Sequence, residues 1–375
     1  MESLRTLHVE TGMHSLGGPA QVVYLMTGLR DRGHEARLVC PKGSSVSRHA
    51  MAAGLDVVTV PLRTDLDVSF VLRLYRTIRR MNPDLVHLHS RRGADIMGGV
   101  AARLARVPAV ILSRRIDNPV RRGPLSKLKY GTLCDRIITI SDAVTNALLE
   151  GGVDPAKITR VRSAVDAKAY KVEPNGRFRK ALGVRPETHV IGIVGQLIER
   201  KGHRYLLDAM PAILDKFPDT VLVALGQGPL LSHLRNHANS LKIEQNVMFV
   251  GFRNDMPHIL RELDVLVHPA TMEGLGVAVL QAMAAELPVV ATAAGGMPEA
   301  VQDSVSGILV PPRDAGALSD AVIRLLAAPE LRRAMGAAGR RIVEEQFSVD
   351  GMVEGILAVY RTALKIEEPL VHAAP

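Results

Sequence analysis

The stretch Val190-Ile191-Gly192-Ile193-Val194-Gly195-Gln196-Leu197-Ile198-Glu199-Arg200-Lys201-Gly202 decides the fold class. Residues 190–194 are apolar on both alternations, as a parallel strand covered by helices on both faces requires. A loop with a glycine and two adjacent cations follows. From Gly202 onward Leu206, Met210, Ile213, Leu214 and Phe217 recur at helical spacing, the stripe of an amphipathic helix. A second apolar run at residues 221–225 completes a strand–helix–strand unit, and further runs continue the series at 247–250, 265–267, 289–291 and 308–310. Working toward the N-terminus, a similar series occupies residues 4–9, 36–40, 57–60, 85–88, 109–112, 137–140 and 158–161. Alternation of such runs with helical segments predicts two doubly wound α/β domains, each with a parallel sheet. The boundaries expected are residues 1–167 for the first domain, 168–185 for a linker containing Pro174, Asn175 and Gly176, and 186–349 for the second. A C-terminal helix at 350–367 is expected to pack back on the first domain.

Composition narrows the function. The chain of 375 residues is 47% hydrophobic and 23% charged, which excludes disorder, collagen and a disulfide scaffold. Only Cys40 and Cys134 are present, outside any metal-ligand cluster, in keeping with a reducing compartment. No signal peptide and no apolar run of about 18–20 residues is apparent, so a cytoplasmic location is expected. Residues 1–185 hold 31 Lys and Arg against 16 Asp and Glu, whereas the remainder holds 16 against 22. A first half at +15 facing a second at −6 points to an anionic partner on the first domain. The helix expected at 68–81 adds Arg73, Arg76 and Arg80 opposite an apolar face of Val68, Val71, Leu72, Tyr75 and Ile78. With Arg121, Arg122, Lys127 and Lys129 in a Pro/Gly-rich loop, this face could rest on anionic lipid. Aromatic residues make up only 3% and tryptophan is absent, so nucleic acid is not expected as a partner.

Three loops carry candidate chemistry. Gly17-Gly18-Pro19 between a strand and a helix brings backbone and free helix-terminal N–H groups to an anion, although its spacing is not the GxGxxG fingerprint of dinucleotide binding. Arg200 and Lys201 sit at the C-terminal end of a strand, where open α/β sheets bind ligands, and would neutralise a diphosphate. In His268-Pro269-Ala270-Thr271-Met272-Glu273-Gly274-Leu275-Gly276, a strand end is followed by one carboxylate, two glycines and a helix start. Gln281 lies two turns along that helix, roughly 12 Å at about 1.5 Å per residue. His87 and His89 share one face at the end of a first-domain strand, with Arg91 following.

These residues, together with Gly295-Gly296-Met297-Pro298-Glu299 and residues 307–312, resemble the family-four retaining glycosyltransferases of GT-B fold. The resemblance implies two facing Rossmann-like domains, donor binding mostly on the second and acceptor binding mostly on the first. It also implies sugar transfer from a nucleotide-sugar donor with retention and without a metal or cofactor, UDP-sugar being favoured over GDP- or ADP-sugar. Carried over position by position, Glu273, Lys201 and Arg200 form the catalytic group. Gly17, Gly18, Gln196, Gly251, Phe252, Arg253, Gly274, Leu275, Gly276 and Gln281 contact the donor, and His89, Arg91, Arg115 and Asp117 face the acceptor. Departures are evident. Gln281 stands in place of the second acid of Glu-x7-Glu, Gln196 in place of the arginine of Gly-Arg-Leu, and Ser163-Ala164-Val165-Asp166 in place of Asn-Gly-Val-Asp. The strand at 110–117, with Arg114 and Arg115, lies where many members have a histidine, and an arginine cannot act as a base because it stays protonated. The setting implied is envelope polysaccharide or lipopolysaccharide synthesis, with a lipid-linked or phosphorylated glycan acceptor at the inner membrane face. A nucleotide-sugar epimerase and a non-catalytic sugar-nucleotide-binding protein are the alternative readings.

Overall fold

A computed structural model describes residues 3–13, 17–64, 67–89 and 93–366. The chain divides into two compact units, one of Met1–Ser163 with Val349–Pro375 and one of Ala164–Ser348.

The first unit is built on seven strands: β1 (Arg5–Val9), β2 (Glu35–Cys40), β3 (Asp56–Thr59), β4 (Leu85–Leu88), β5 (Ala109–Arg114), β6 (Arg136–Thr139) and β7 (Ile158–Arg160). All pair in parallel, in the order β3-β2-β1-β4-β5-β6-β7. Parallel neighbours need crossovers, which the intervening helices supply. Alternation along β1 sorts its side chains. Leu7 and Val9 join Val86, Leu88 and Leu112 in an apolar core with Phe70, Leu74 and Ile78 of the helix Val68–Met81. Thr6, His8 and Glu10 point the other way and are also buried. The helix Val349–Leu364 belongs to this unit. Its Tyr360 is fully buried and its Val353 lies so close to Gly28, in the helix Gly17–Asp31, that a Cβ there would sit 2.5 Å away.

The second unit holds β8 (His189–Val194), β9 (Thr220–Leu225), β10 (Val247–Gly251), β11 (Val265–His268), β12 (Val289–Thr292) and β13 (Gly307–Val310), all parallel, in the order β10-β9-β8-β11-β12-β13. Ile191, Ile193, Val265, Val267 and Val290 form its core with Leu206, Met210 and Ile213 of the helix His203–Lys216. The fold class read from the apolar runs is the one observed.

Several local expectations need correction. Residues 168–185, expected as a linker, fall within the second unit, irregular and mostly exposed at 171–175 and helical after that. Phe178 of the short helix Arg177–Leu182 is buried, and Arg179 reaches Asp264 Oδ2 at 2.8 Å and Glu262 O at 2.9 Å. Of the charges there, Arg179 and Arg185 are paired with acids, while Lys168, Lys171, Glu173, Arg177 and Lys180 are exposed, as their density suggested. In the helix Val68–Met81 the buried stripe is Phe70, Leu74 and Ile78, whereas Val68 and Leu72 face outward at 75% and 49% exposure. Arg73 turns back to the N-cap Asp67 at 2.7 Å. The basic segment after Arg122 is helical over Lys127–Thr132, and Lys129 is spent in a buried ion pair with Asp95.

Candidate active site

Strand order builds the site of the second unit. The direction of winding reverses between β8 and β11, so the loops leaving these adjacent strands lie side by side, the crevice in which open α/β sheets bind ligands. The β8 loop carries Gly195, Gln196, Arg200 and Lys201, and the β11 loop carries Glu273. Thr271 N donates to Arg200 O at 2.9 Å, joining the two. Gly202, at φ +71°, makes the approach possible. A Cβ there would stand 1.9 Å from Pro269 O.

Glu273 is the centre of a buried ionic group. Lys201 Nζ donates to its Oε2, and His268 Nε2 lies 2.9 Å from the same oxygen. Burial pushes the Glu273 carboxyl up, but the Lys201 ammonium and the His268 hydrogen bond outweigh it and hold the acid well below the ordinary carboxylate range. His268 is itself shifted down by burial, with the Glu273 hydrogen bond opposing. Arg200 Nη1 donates to Met272 O at 3.4 Å, bringing a second cation to the same loop. Glu273 O accepts from Gly296 N at 2.9 Å, which anchors the loop to the segment after β12. Gly276 N-caps the helix Val277–Ala284 at φ +79°, with Met297 Cε only 2.2 Å from where its Cβ would stand. Gly274 and Leu275 are buried beside it. The helix N-terminus adds positive potential to that of the two cations.

The remaining residues expected at the donor are less closely gathered. Gln281 is half-buried on the helix that Gly276 opens. Gln196 is half-buried in the β8 loop, and its O accepts from Ile198 N at 2.9 Å. Gly251 ends the edge strand β10 at φ +76°, followed by Phe252, 47% exposed. Arg253 is held by both oxygens of Asp255, at 2.8 and 2.6 Å.

In the first unit the order reverses between β1 and β4. Gly17 and Gly18 open the helix Gly17–Asp31, and Arg115 Cδ lies 3.6 Å from the Cβ position of Gly18. Burial draws the Arg115 guanidinium down to about 10, with Glu10 and Tyr360 opposing. It stays a cation at neutral pH. Asp117 is half-buried nearby in sequence, and His89 follows β4 with its ring buried. Arg91 lies outside the described residues.

Residues 175–342 match the family model described as glycosyl transferases group 1, and residues 17–169 match that described as glycosyltransferase family 4. The chain is 32% identical over 322 residues to the GDP-mannose-dependent alpha-(1-6)-phosphatidylinositol monomannoside mannosyltransferase of Mycobacterium tuberculosis, with 80% of this chain and 82% of that protein covered. The chain belongs to glycosyltransferase family 4. It is also 28% identical over 275 residues to the UDP-Gal:alpha-D-GlcNAc-diphosphoundecaprenol alpha-1,3-galactosyltransferase of Escherichia coli, covering 69% of this chain and 70% of that one. Two solved structures share its GT-B fold: Anabaena HepE in complex with UDP and glucose, at TM-score 0.85 and 20% identity over 96% of this chain and all of that one, and a glycosyltransferase from Rickettsia africae, at TM-score 0.85 and 18% identity over 98% and 100%.

The glycosyltransferase also holds closely packed and buried groups around these loops that no sequence motif marks. Gly226 and Gly228, after β9, pack on the β8 loop so closely that a Cβ would stand 1.8 Å from Gly195 O and 2.4 Å from Leu197 O, respectively. Leu197 N donates to Gln227 O at 3.0 Å. The Gly-Gln-Gly spacing after an apolar run was the available signal. In the sequence His268 reads only as a strand end, and no motif marks His203. Both ring nitrogens of His203 are buried without a hydrogen-bond partner among the described residues. Burial, His268 and Lys201 bring that ring down to about 4.

Proposed function

We propose that this family-four glycosyltransferase moves a hexose-type sugar, with retention and without a metal, from a UDP-sugar to a hydroxyl of a lipid-linked or anionic glycan acceptor in envelope polysaccharide or lipopolysaccharide synthesis. The observation that carries the reading is the buried group of Lys201, His268 and Glu273 at the N-terminus of the helix Val277–Ala284, with Arg200 reaching across from the β8 loop to Met272 O. Breaking the anomeric bond builds negative charge on the leaving diphosphate. Fixed cations and a helix terminus that need no reorganisation are suited to stabilise it. Glu273 would position the sugar, while Lys201 and Arg200 take up the charge. In a front-face reaction the diphosphate leaves and the acceptor hydroxyl attacks on one face of the sugar. The new C–O bond replaces the anomeric C–O bond to phosphate, and the hydroxyl proton passes to the departing phosphate oxygen.

The basic first half of the chain supports an anionic or membrane-borne acceptor. Both relatives named above act, by their names, on acceptors carrying phosphate and lipid. Among the described residues no helix is long and apolar enough to cross a membrane. Exposed Val68 and Leu72 beside Arg76, Arg79 and Arg80 support peripheral contact with the inner face of the cytoplasmic membrane. The E. coli relative's UDP-Gal favours a UDP donor, and the mycobacterial relative makes GDP-mannose the second reading.

The test is turnover of UDP-glucose, UDP-galactose and GDP-mannose with short-chain polyprenyl-diphospho-N-acetylglucosamine or phosphatidylinositol mannoside, with the product's anomeric configuration read by NMR. An α-linked product from an α-linked donor, abolished in Glu273→Gln, is expected. A β-linked product, or full activity in that variant, would overturn the mechanism.

A further inference from the structure

The ionic group of the second unit already pairs its own charges. Lys201 Nζ and His268 Nε2 both reach Glu273 Oε2, the first in an ion pair and the second at 2.9 Å. The three side chains are largely out of water, His268 at 2% exposure. An ionised carboxylate only accepts, so the neutral ring of His268 carries its proton on Nε2, and a second proton can enter only at Nδ1. The charged and titratable groups around His268 are Glu273 on its own loop, Arg200 and Lys201 on the β8 loop, and His203 at the start of the helix His203–Lys216. Burial draws His268 down and the Glu273 hydrogen bond opposes it, while Lys201 and Arg200 act in the same direction as burial.

Charge counting shows what a donor changes. At rest the group holds two cations, Arg200 and Lys201, one anion, Glu273, and the neutral imidazole of His268. A nucleotide sugar carries a diphosphate diester with two negative charges, which the reading above seats on the two cations. The sum then passes from one positive charge to one negative, where little water screens it. The diphosphate offsets both cations that oppose a charge on His268 and leaves untouched the carboxylate that favours it. His203 cannot take the proton instead. Both its ring nitrogens are buried without a hydrogen-bond partner among the described residues, so a charge there would be unpaired, and the ring is held down to about 4 by burial, His268 and Lys201. His268 alone of the two touches an acid.

We propose that binding of the nucleotide sugar is coupled to uptake of one proton by His268 at Nδ1. The imidazolium so formed is a positioning residue that holds Glu273 in place for the sugar while Arg200 and Lys201 turn their charge to the diphosphate. This rests on the transferase reading above. The proton comes from solvent on binding and returns to it when the product leaves.

Calorimetry of the full chain decides it. UDP-galactose and GDP-mannose hold no group that titrates near neutral pH, so the dependence of binding enthalpy on the ionisation enthalpy of the buffer counts protons exchanged by the protein. Whichever of them binds should bring uptake of about one proton at pH 7, and its Kd should weaken about tenfold per pH unit where that uptake is complete. In His268→Gln, whose Nε2 still donates to Glu273 but takes no proton, the uptake should vanish and Kd should become independent of pH over that range. A role in packing alone would weaken binding equally at every pH. If the variant does not fold, 15N-histidine spectra of the wild type give the same reading, since one ring should pass from single protonation at Nε2 to double protonation on adding the donor. Binding without proton uptake, uptake that persists in His268→Gln, or spectra in which no ring gains a proton overturns the proposal and leaves the donor site standing. A wild type that binds neither nucleotide sugar overturns the transferase reading and this inference with it.

Discussion

Replacing Lys201 by methionine should destabilise the second unit by about 3 kcal/mol at pH 7. The Lys201 and Glu273 side chains are 14% and 11% exposed, so the ion pair is largely out of water. Removing one partner of a buried pair costs about 3–5 kcal/mol, because the other charge remains buried and uncompensated. His268 and the helix N-terminus still face the carboxylate, which places the loss at the lower end. For a unit of about 185 residues, each kcal/mol moves the midpoint by about 2–4 °C, so Tm should fall by about 6–12 °C. The pH dependence has a definite sign. In the wild type the folded-state pKa of Glu273 is depressed, so its contribution is present above the unfolded carboxylate value and lost as pH falls through the folded value. In the variant the buried carboxyl rises instead and takes up a proton in mildly acid solution. The gap between the two proteins should therefore narrow from pH 7 to pH 4.5 and continue to narrow below. Urea unfolding of the full chain at both pH values measures this, and adding Glu273→Gln should restore much of the loss. A gap under about 1 kcal/mol at pH 7, or one independent of pH, would refute the ionic reasoning.

Gly202→Ala should cost about 2 kcal/mol or more and abolish nucleotide binding, because its Cβ would stand 1.9 Å from Pro269 O at φ +71°. An unchanged melting curve would contradict that contact. The first unit should lose stability as pH drops below about 6.5, since the unfolded chain protonates His8, His87 and His89 there while burial holds their folded values lower. His8→Asn should flatten the acid limb of a Tm-against-pH curve, and an identical limb would assign it to other groups. Reversing Arg76, Arg79 and Arg80 to Glu should weaken binding to vesicles containing anionic lipid in a salt-sensitive manner. Equal co-sedimentation of both proteins would return that helix face to ordinary solvent exposure.

The central strands among the described residues were legible because a strand buried on both faces must be a continuous apolar run, and each run is local; the edge strands β3 and β7 are exposed or half-buried and carry weaker runs. The placement of Lys201 and Glu273 was legible for a related reason, being tied to strand ends. Their mutual contact was not, since it depends on β8 lying next to β11. The same holds for His268, whose partner is five residues away across a loop, and for His8 and His89, joined only by β1–β4 pairing. Charge runs misled where burial decides. Arg179 and Lys129 look like solvent residues in sequence, yet both are held by acids distant in the chain. At the helix Val68–Met81, Phe70 and Leu74 lie inside while Leu72 faces out. Neighbouring apolar residues allowed the stripe to be drawn one position away.

The most direct test of function is a thermal-shift titration of the full chain with UDP, GDP, ADP and their common sugars, followed by donor turnover on any responder. A ligand at 100 times its Kd adds about 2.7 kcal/mol, readily visible as a shift. A UDP-sugar response in the wild type, lost in Lys201→Met at a temperature where that variant is still folded, is the expected result. No response to any of these nucleotides would contradict a donor site at Lys201, Arg200 and Glu273.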